Sequence, residues 1–143
     1  MAVLADRALQ NFARQAPSLE HVQFSDRIEL RALSVARDGE RLTLRLWWKP
    51  LPSLTEHDWI FFIHSIDDSG NIVLNNQIVL SSSKQASQDG SIQFDTISFD
   101  AAPASKSSRL AVGFYRPQGD KLLADRGNRD WFGARVIVSI PAS

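Results

Sequence analysis

Tryptophans are the residues of this sequence whose chemistry points most directly to a ligand. Trp47 belongs to a run in which polar and apolar residues alternate, and Thr43 and Arg45 share its side. An exposed indole can stack on the apolar C–H face of a sugar ring while polar neighbours bond the hydroxyls. We therefore predict a ligand-binding set of Trp47, Arg45 and Thr43, with Trp131 as a further member.

The same tryptophans also allow a structural interpretation. A helix must cover some face of a sheet, and Trp47 would suit the position beneath it. Trp131 follows the polar run 126–130 and could instead plug one end of the fold. Both interpretations stay open at the level of sequence.

Other chemistry-bearing residues do not form a recognisable catalytic or metal site. His57 and His64 are seven residues apart, so within one strand they point to opposite faces and cannot share a metal. His64 has apolar neighbours, which favours a hydrogen-bonded core or edge histidine. Asp67 and Asp68 precede Gly70 and are typical turn formers. No Gly-x-Ser-x-Gly run is present, so we predict a non-enzyme without metal or cofactor.

Composition narrows the class of protein further. The chain has 143 residues, enough for one self-sufficient core, and no cysteine, which excludes disulfides and thiol chemistry. Sixteen basic residues balance sixteen acidic ones, which argues against nucleic-acid binding. No stretch approaches the roughly 18 apolar residues of a membrane span. Asp6 and Arg7 interrupt any signal-peptide core, so we expect a soluble chain.

The first seventeen residues predict the one short helix of the chain. Leu4, Ala8 and Phe12 recur at four-residue spacing between residues 2 and 15. Pro17 ends the pattern, because proline lacks a donor and disfavours helix before it. We expect residues 1–17 to form a helix that packs on the domain of residues 18–143.

From residue 26 onward the pattern changes to short strands separated by turns. Leucines alternate with polar residues over 41–48, whereas 58–66 is apolar on both faces and should be a central, covered strand. The predicted strands cover residues 27–36, 41–48, 58–66, 72–80, 91–99, 109–116, 121–125 and 134–140. This spacing predicts an all-β, two-sheet antiparallel sandwich, immunoglobulin-like or jelly-roll-like, with a closed barrel as the alternative.

Three segments together resemble a known arrangement: residues 42–50, 58–73 and 110–125. They carry a strand that ends in an aromatic and a basic residue, the run Phe62-Ile63-His64, an acidic turn with glycine (67–70), and a Val-Gly-Phe-Tyr strand before a proline/glycine turn (112–119). In this order they are similar to the carboxy-terminal extracytoplasmic β-sandwich of membrane glycosyltransferases related to the dolichyl-phosphate-mannose protein mannosyltransferases. The stretch 75–94 departs from that pattern, because it lacks the proline and the tryptophan found there, and it has Asn75, Asn76 and Gln77 where acidic residues are expected.

The resemblance implies an accessory domain, because the membrane-embedded catalytic part of those enzymes is not in this sequence. We therefore expect a non-catalytic accessory or binding module, carbohydrate-related and associated with a membrane glycosyltransferase, in the periplasm or outside the cell. The alternative is a structural domain that self-associates or docks a protein partner, through the apolar outer face of residues 59–63 and the helix at 2–15. A cytoplasmic location is the alternative to the extracytoplasmic one, and the sequence leaves the oligomeric state open.

Overall fold

The computed structural model describes residues 18–51, 59–80, 92–100, 109–117 and 121–141. The predicted helix at 2–15, the unit 1–17 and the loop 81–90 lie outside these ranges. Within them the chain forms the strands β1 (Leu19–Phe24), β2 (Ile28–Asp38), β3 (Arg41–Pro50), β4 (Ile60–Ile66), β5 (Ile72–Val79), β6 (Gln93–Asp100), β7 (Arg109–Tyr115), β8 (Arg129–Asp130) and β9 (Arg135–Ser139). A single 3-10 turn, Trp131–Gly133, connects β8 to β9.

The strands form two antiparallel sheets. The four-stranded sheet has the order β1-β2-β3-β6, and the five-stranded sheet has the order β5-β4-β7-β9-β8. All the pairings within them are antiparallel. The all-β, two-sheet prediction is confirmed at this level, and the architecture is sandwich-like. In the described part of the chain, no helix has the length and apolarity needed to cross a membrane.

β3 shows why the four-stranded sheet buries one face. Leu42, Leu44, Leu46 and Trp48 are fully buried in the main core, as the alternation predicts. Trp48 also donates its indole N–H to Asp95 Oδ2 at 2.8 Å. That bond provides a partner for a buried carboxylate, which would otherwise be costly inside the core.

β4 is the central, covered strand that the sequence predicts. It lies between β5 and β7, and all seven of its residues are buried. Phe61 and Ile63 point into the main core, together with Trp59 just before the strand. Because side chains alternate, Phe62 and His64 lie on the outer face of the five-stranded sheet.

Three parts of the strand prediction differ from the structure: β1, the segment 121–125, and the two-residue strand β8, which was not expected. β1 was not expected, since half of its six residues are polar and its apolar residues, Leu19, Val22 and Phe24, do not alternate regularly. Within this strand His21 has a φ of 52°. The predicted strand at 121–125 forms only isolated bridges, from Lys121 to Tyr115 and from Ala124 to Phe24. Its backbone bonds are divided among several elements, because this segment runs between the ends of both sheets.

Candidate functional site

The residues predicted to bind a ligand divide between the two sheets. Thr43, Arg45 and Trp47 lie on the outer face of β3, in the four-stranded sheet. Trp131 follows β8 at the edge of the five-stranded sheet. The structure therefore does not bring Trp131 together with the other three.

Trp47 does not present an open indole face. Its side chain is 2% exposed, and its ring lies 4.8 Å from the ring of Phe94 on the neighbouring strand. Thr43 Oγ1 forms a 2.8 Å hydrogen bond with Ser98 Oγ, whereas Arg45 is exposed. This burial favours the interpretation of Trp47 as a covered residue, and its role in ligand binding stays a prediction.

Trp131, by contrast, is 40% exposed and borders a pocket on the outer face of the five-stranded sheet. The pocket has a volume of about 140 Å³. Its lining combines aromatic rings with hydrogen-bonding side chains: Phe62, His64, Asn75, Gln77, Tyr115, Lys121 and Trp131. Strands β4, β5 and β7 position five of these seven residues.

The floor of the pocket depends on a glycine in β7. Phe62 and His64 supply the floor from β4, and Phe62 is paired across the sheet with Gly113. A Cβ atom at Gly113 would lie 2.4 Å from Phe62 Cζ and 2.4 Å from the Ala134 carbonyl oxygen. The Phe62 ring can therefore occupy this position only because residue 113 has no side chain.

One wall of the pocket is polar. Asn75 and Gln77 alternate with inward-facing residues along β5, so both amides lie on the outer face. The Tyr115 hydroxyl donates to Gln77 Oε1 at 2.6 Å, which ties the end of β7 to β5 across β4. The N–H donors of the Gln77 amide are not used in this bond, so they can serve a ligand.

Trp131 lies in a segment of strained backbone. Trp131 and Phe132 have φ values of 53° and 57°, and Gly133 has a φ of 96°. The left-handed conformation costs about 1–2 kcal/mol for a residue with a Cβ. Such strain persists only where surrounding contacts fix it, and it is concentrated at functional sites.

A buried arginine supplies the contacts that support Trp131. The Arg135 guanidinium lies 4.0 Å from the Trp131 ring centroid, and the Arg135 side chain is 1% exposed. Asp130 binds this guanidinium with both carboxylate oxygens: Oδ1 accepts from Nε at 2.8 Å and Oδ2 accepts from Nη2. Bidentate pairing of this kind fixes the plane of the guanidinium. The indole therefore rests on a rigid, charge-compensated support.

The same arginine determines which nitrogen of His64 carries its proton. Arg135 Nη1 lies 3.2 Å from His64 Nδ1, and a guanidinium can only donate. Nδ1 is therefore the acceptor, and the neutral ring carries its proton on Nε2. Burial, reinforced by the positive charge of Arg135, lowers the pKa of His64 from 6.5 to about 4. At neutral pH, His64 thus presents an uncharged N–H donor.

The acidic turn after β4 has a structural use. Asp67 Oδ1 accepts hydrogen bonds from the backbone N–H groups of Ser69 and Asn71, each at 2.9 Å. These bonds, that from Asn71 above all, lower the pKa of Asp67 below its ordinary value. This arrangement agrees with the turn-former interpretation. The described ranges contain no group of three or more His, Cys, Asp and Glu residues placed to hold a metal ion.

Most of the pocket was not predicted from the sequence. The usable signal was the i, i+2 spacing of Phe62 with His64 and of Asn75 with Gln77, which places each pair on one face of a strand. Arg135, inside the apolar run 134–140, was a second signal, because a buried cation needs a partner.

Comparisons with protein families, curated proteins and solved structures found no match for this chain. The resemblance to the extracytoplasmic domain of membrane glycosyltransferases therefore stays a prediction. What the pocket can bind is therefore inferred from the geometry of its own residues.

Proposed function

We propose that this protein is a non-catalytic module that binds a sugar in the pocket beside Trp131. The observation that carries the proposal is the convergence of an exposed indole with two amides and a neutral imidazole donor. Aromatic faces stack on the C–H face of a sugar ring, and the surrounding donors and acceptors bond its hydroxyls. Sugar stacking on Trp131 is the interaction that the sequence predicted, but the residues around Trp131 are not the predicted ones.

The size of the pocket limits the part of a ligand that it can hold. Pockets for drug-sized molecules measure roughly 300–1,000 Å³. The volume here is about 140 Å³, well below that range. A single sugar ring or the end of a chain is therefore the expected occupant.

The ionisable groups near the pocket support binding rather than catalysis. Asp130 is bound by Arg135 through both carboxylate oxygens, so it is not available as a general acid or base. None of the seven lining residues is a carboxylic acid. His64 is held by Arg135, and its pKa of about 4 makes it a weak base at neutral pH.

Several expectations from the sequence remain part of this proposal. They are an immunoglobulin-like or jelly-roll-like fold type, association with a membrane glycosyltransferase, and a periplasmic or extracellular location. The alternative function is self-association or docking of a protein. Residues 59–63, which the sequence suggested for it, are buried, and the helix at 2–15 lies outside the described residues. This alternative would instead use the edge strand β5, where Ile72, Val73 and Val79 are exposed.

Intrinsic tryptophan fluorescence tests the proposed function. A panel of hexoses, N-acetylhexosamines and hexuronic acids is titrated to about 10 mM, above the roughly 1 mM that corresponds to a binding free energy near 4 kcal/mol. We expect a saturable change with at least one sugar, because Trp131 borders the pocket and is partly exposed. The Trp131→Ala variant should lose this binding.

Trp47→Phe is the matched control, since it removes a tryptophan from the opposite sheet and should keep the binding. Binding is followed in both variants by calorimetry as well, because each change alters the fluorescence itself. A flat response across the panel, or full affinity in Trp131→Ala, would overturn the proposal.

A further inference from the structure

The charge of the pocket points to the class of sugar. Lys121 is the one residue among the seven lining side chains that is charged at neutral pH, because burial and Arg135 keep His64 neutral. Behind the pocket, the positive charge of Arg135 is balanced by Asp130. The site therefore has a net charge of about +1 from these groups, located at its rim.

The backbone directs Lys121 to that rim. Residue 121 forms an antiparallel bridge with Tyr115, and the next residue donates its N–H to the Phe114 carbonyl at 3.1 Å. The Lys121 ammonium lies 5.2 Å from the Trp131 ring centroid, within the range of a cation–π contact. Among the described residues, no carboxylate pairs with this ammonium.

We propose that the bound sugar is acidic and that Lys121 binds its acidic group, a carboxylate or phosphate on the ring. This inference rests on the proposed function. An ammonium is a compact charge with three donors, and it suits either anion. Sugar hydroxyls would meet the Asn75 and Gln77 amides and the His64 N–H, all of them uncharged. The anion is thus the one ligand feature for which the pocket holds a matching charge.

The test compares sugars that share one ring and differ in the group at C6, which is either neutral or anionic. Glucose, glucuronic acid and glucose 6-phosphate are titrated, together with the corresponding mannose series, at low and at moderate ionic strength. We expect an acidic member to bind about fivefold more tightly than its neutral parent, as a partly exposed ion pair allows. That advantage should shrink with salt, because exposed charges are screened. The tighter of the two acids identifies the anion.

Lys121→Gln should remove the advantage of the acidic sugar, measured within that variant as the ratio of its affinity to that of the neutral parent. Lys49→Gln is the matched control, since Lys49 lies on β3 in the other sheet, and it should keep the advantage. Neutral and acidic sugars of equal affinity, or an advantage that persists in Lys121→Gln, would overturn the acidic ligand and leave the sugar site standing. Failure of every sugar in both series would overturn the acidic ligand and count against the proposed function itself.

Discussion

At the residue scale, Trp131 and Arg135 show how an exposed aromatic side chain can be held rigid. The indole rests on a guanidinium that is itself fixed by Asp130, and a buried cation without such a partner would be strongly unfavourable. Two consecutive left-handed residues, Trp131 and Phe132, place the ring there. Phe132 is fully exposed, so packing of its own side chain does not offset the strain energy. The contacts of the Trp131 ring with Arg135, His64 and Lys121 can offset it.

His64 provides a prediction about pH. Its pKa in the folded state is about 4, below the ordinary 6.5, because burial and then Arg135 disfavour the charged ring. Protonation therefore favours the unfolded chain, and stability should fall as the pH drops from about 6.5 towards 4. The negative charge of Asp130 raises the pKa of His64, whereas Lys121, like Arg135, lowers it.

Thermal unfolding at a series of pH values measures this effect. In His64→Gln the amide oxygen can still accept from Arg135 but cannot titrate, so the melting temperature should decline less over this range than in the wild type. Equal declines in the two proteins would show that His64 does not carry the dependence.

The residue types of the sequence were enough to suggest Trp131, but not its neighbours. Trp47 had the same apparent chemistry, since it alternates with leucines beside Thr43 and Arg45. Its burial against Phe94 depends on the pairing of β3 with β6, which are separated by more than forty residues. Local alternation assigns a side chain to a face but does not tell whether that face is covered.

At the element scale, the packing of β4 on β7 determines the shape of the pocket. The two strands are paired along their whole length, and the Phe62 ring lies over Gly113. Regular alternation made β3 predictable, and a run of residues that is apolar on both faces made β4 predictable. β1 and β8 were not predicted, because the apolar residues of β1 do not alternate regularly and β8 has only two residues.

Gly113→Ala tests this packing. Unlike Gly70, whose φ is 85°, Gly113 has no left-handed conformation, so the cost of alanine is steric alone. Overpacking of a tight site costs about 1–3 kcal/mol, and we expect a loss of that size in the free energy of unfolding, measured with urea.

A second substitution separates the two clashes at Gly113. In a Phe62→Ala background the contact with the ring is gone but the contact with the Ala134 carbonyl oxygen remains. Gly113→Ala should therefore still lower stability relative to Phe62→Ala alone, but by less than it does in the wild type. A Gly113→Ala protein as stable as the wild type would contradict the packing described for β4 and β7.

At the scale of the whole molecule, the candidate site is assembled from three separate stretches of chain. β4 and β5 supply the floor and the polar wall, residues 115 and 121 supply one end, and residues 130–135 supply the supported indole. Their meeting depends on the strand order β5-β4-β7-β9-β8. Two antiparallel sheets follow from alternation and turns, whereas the order of strands depends on long-range packing that local patterns do not specify.

The most direct test of the account is a nuclear magnetic resonance titration of the ¹⁵N-labelled protein with the tightest-binding sugar. We predict that the largest shift changes will occur at the Trp131 indole N–H and at the side-chain amides of Asn75 and Gln77. The Trp47 indole N–H on the opposite sheet should stay unchanged. Shift changes centred on Trp47 and Phe94, or none at saturating sugar, would contradict a sugar site on the five-stranded sheet.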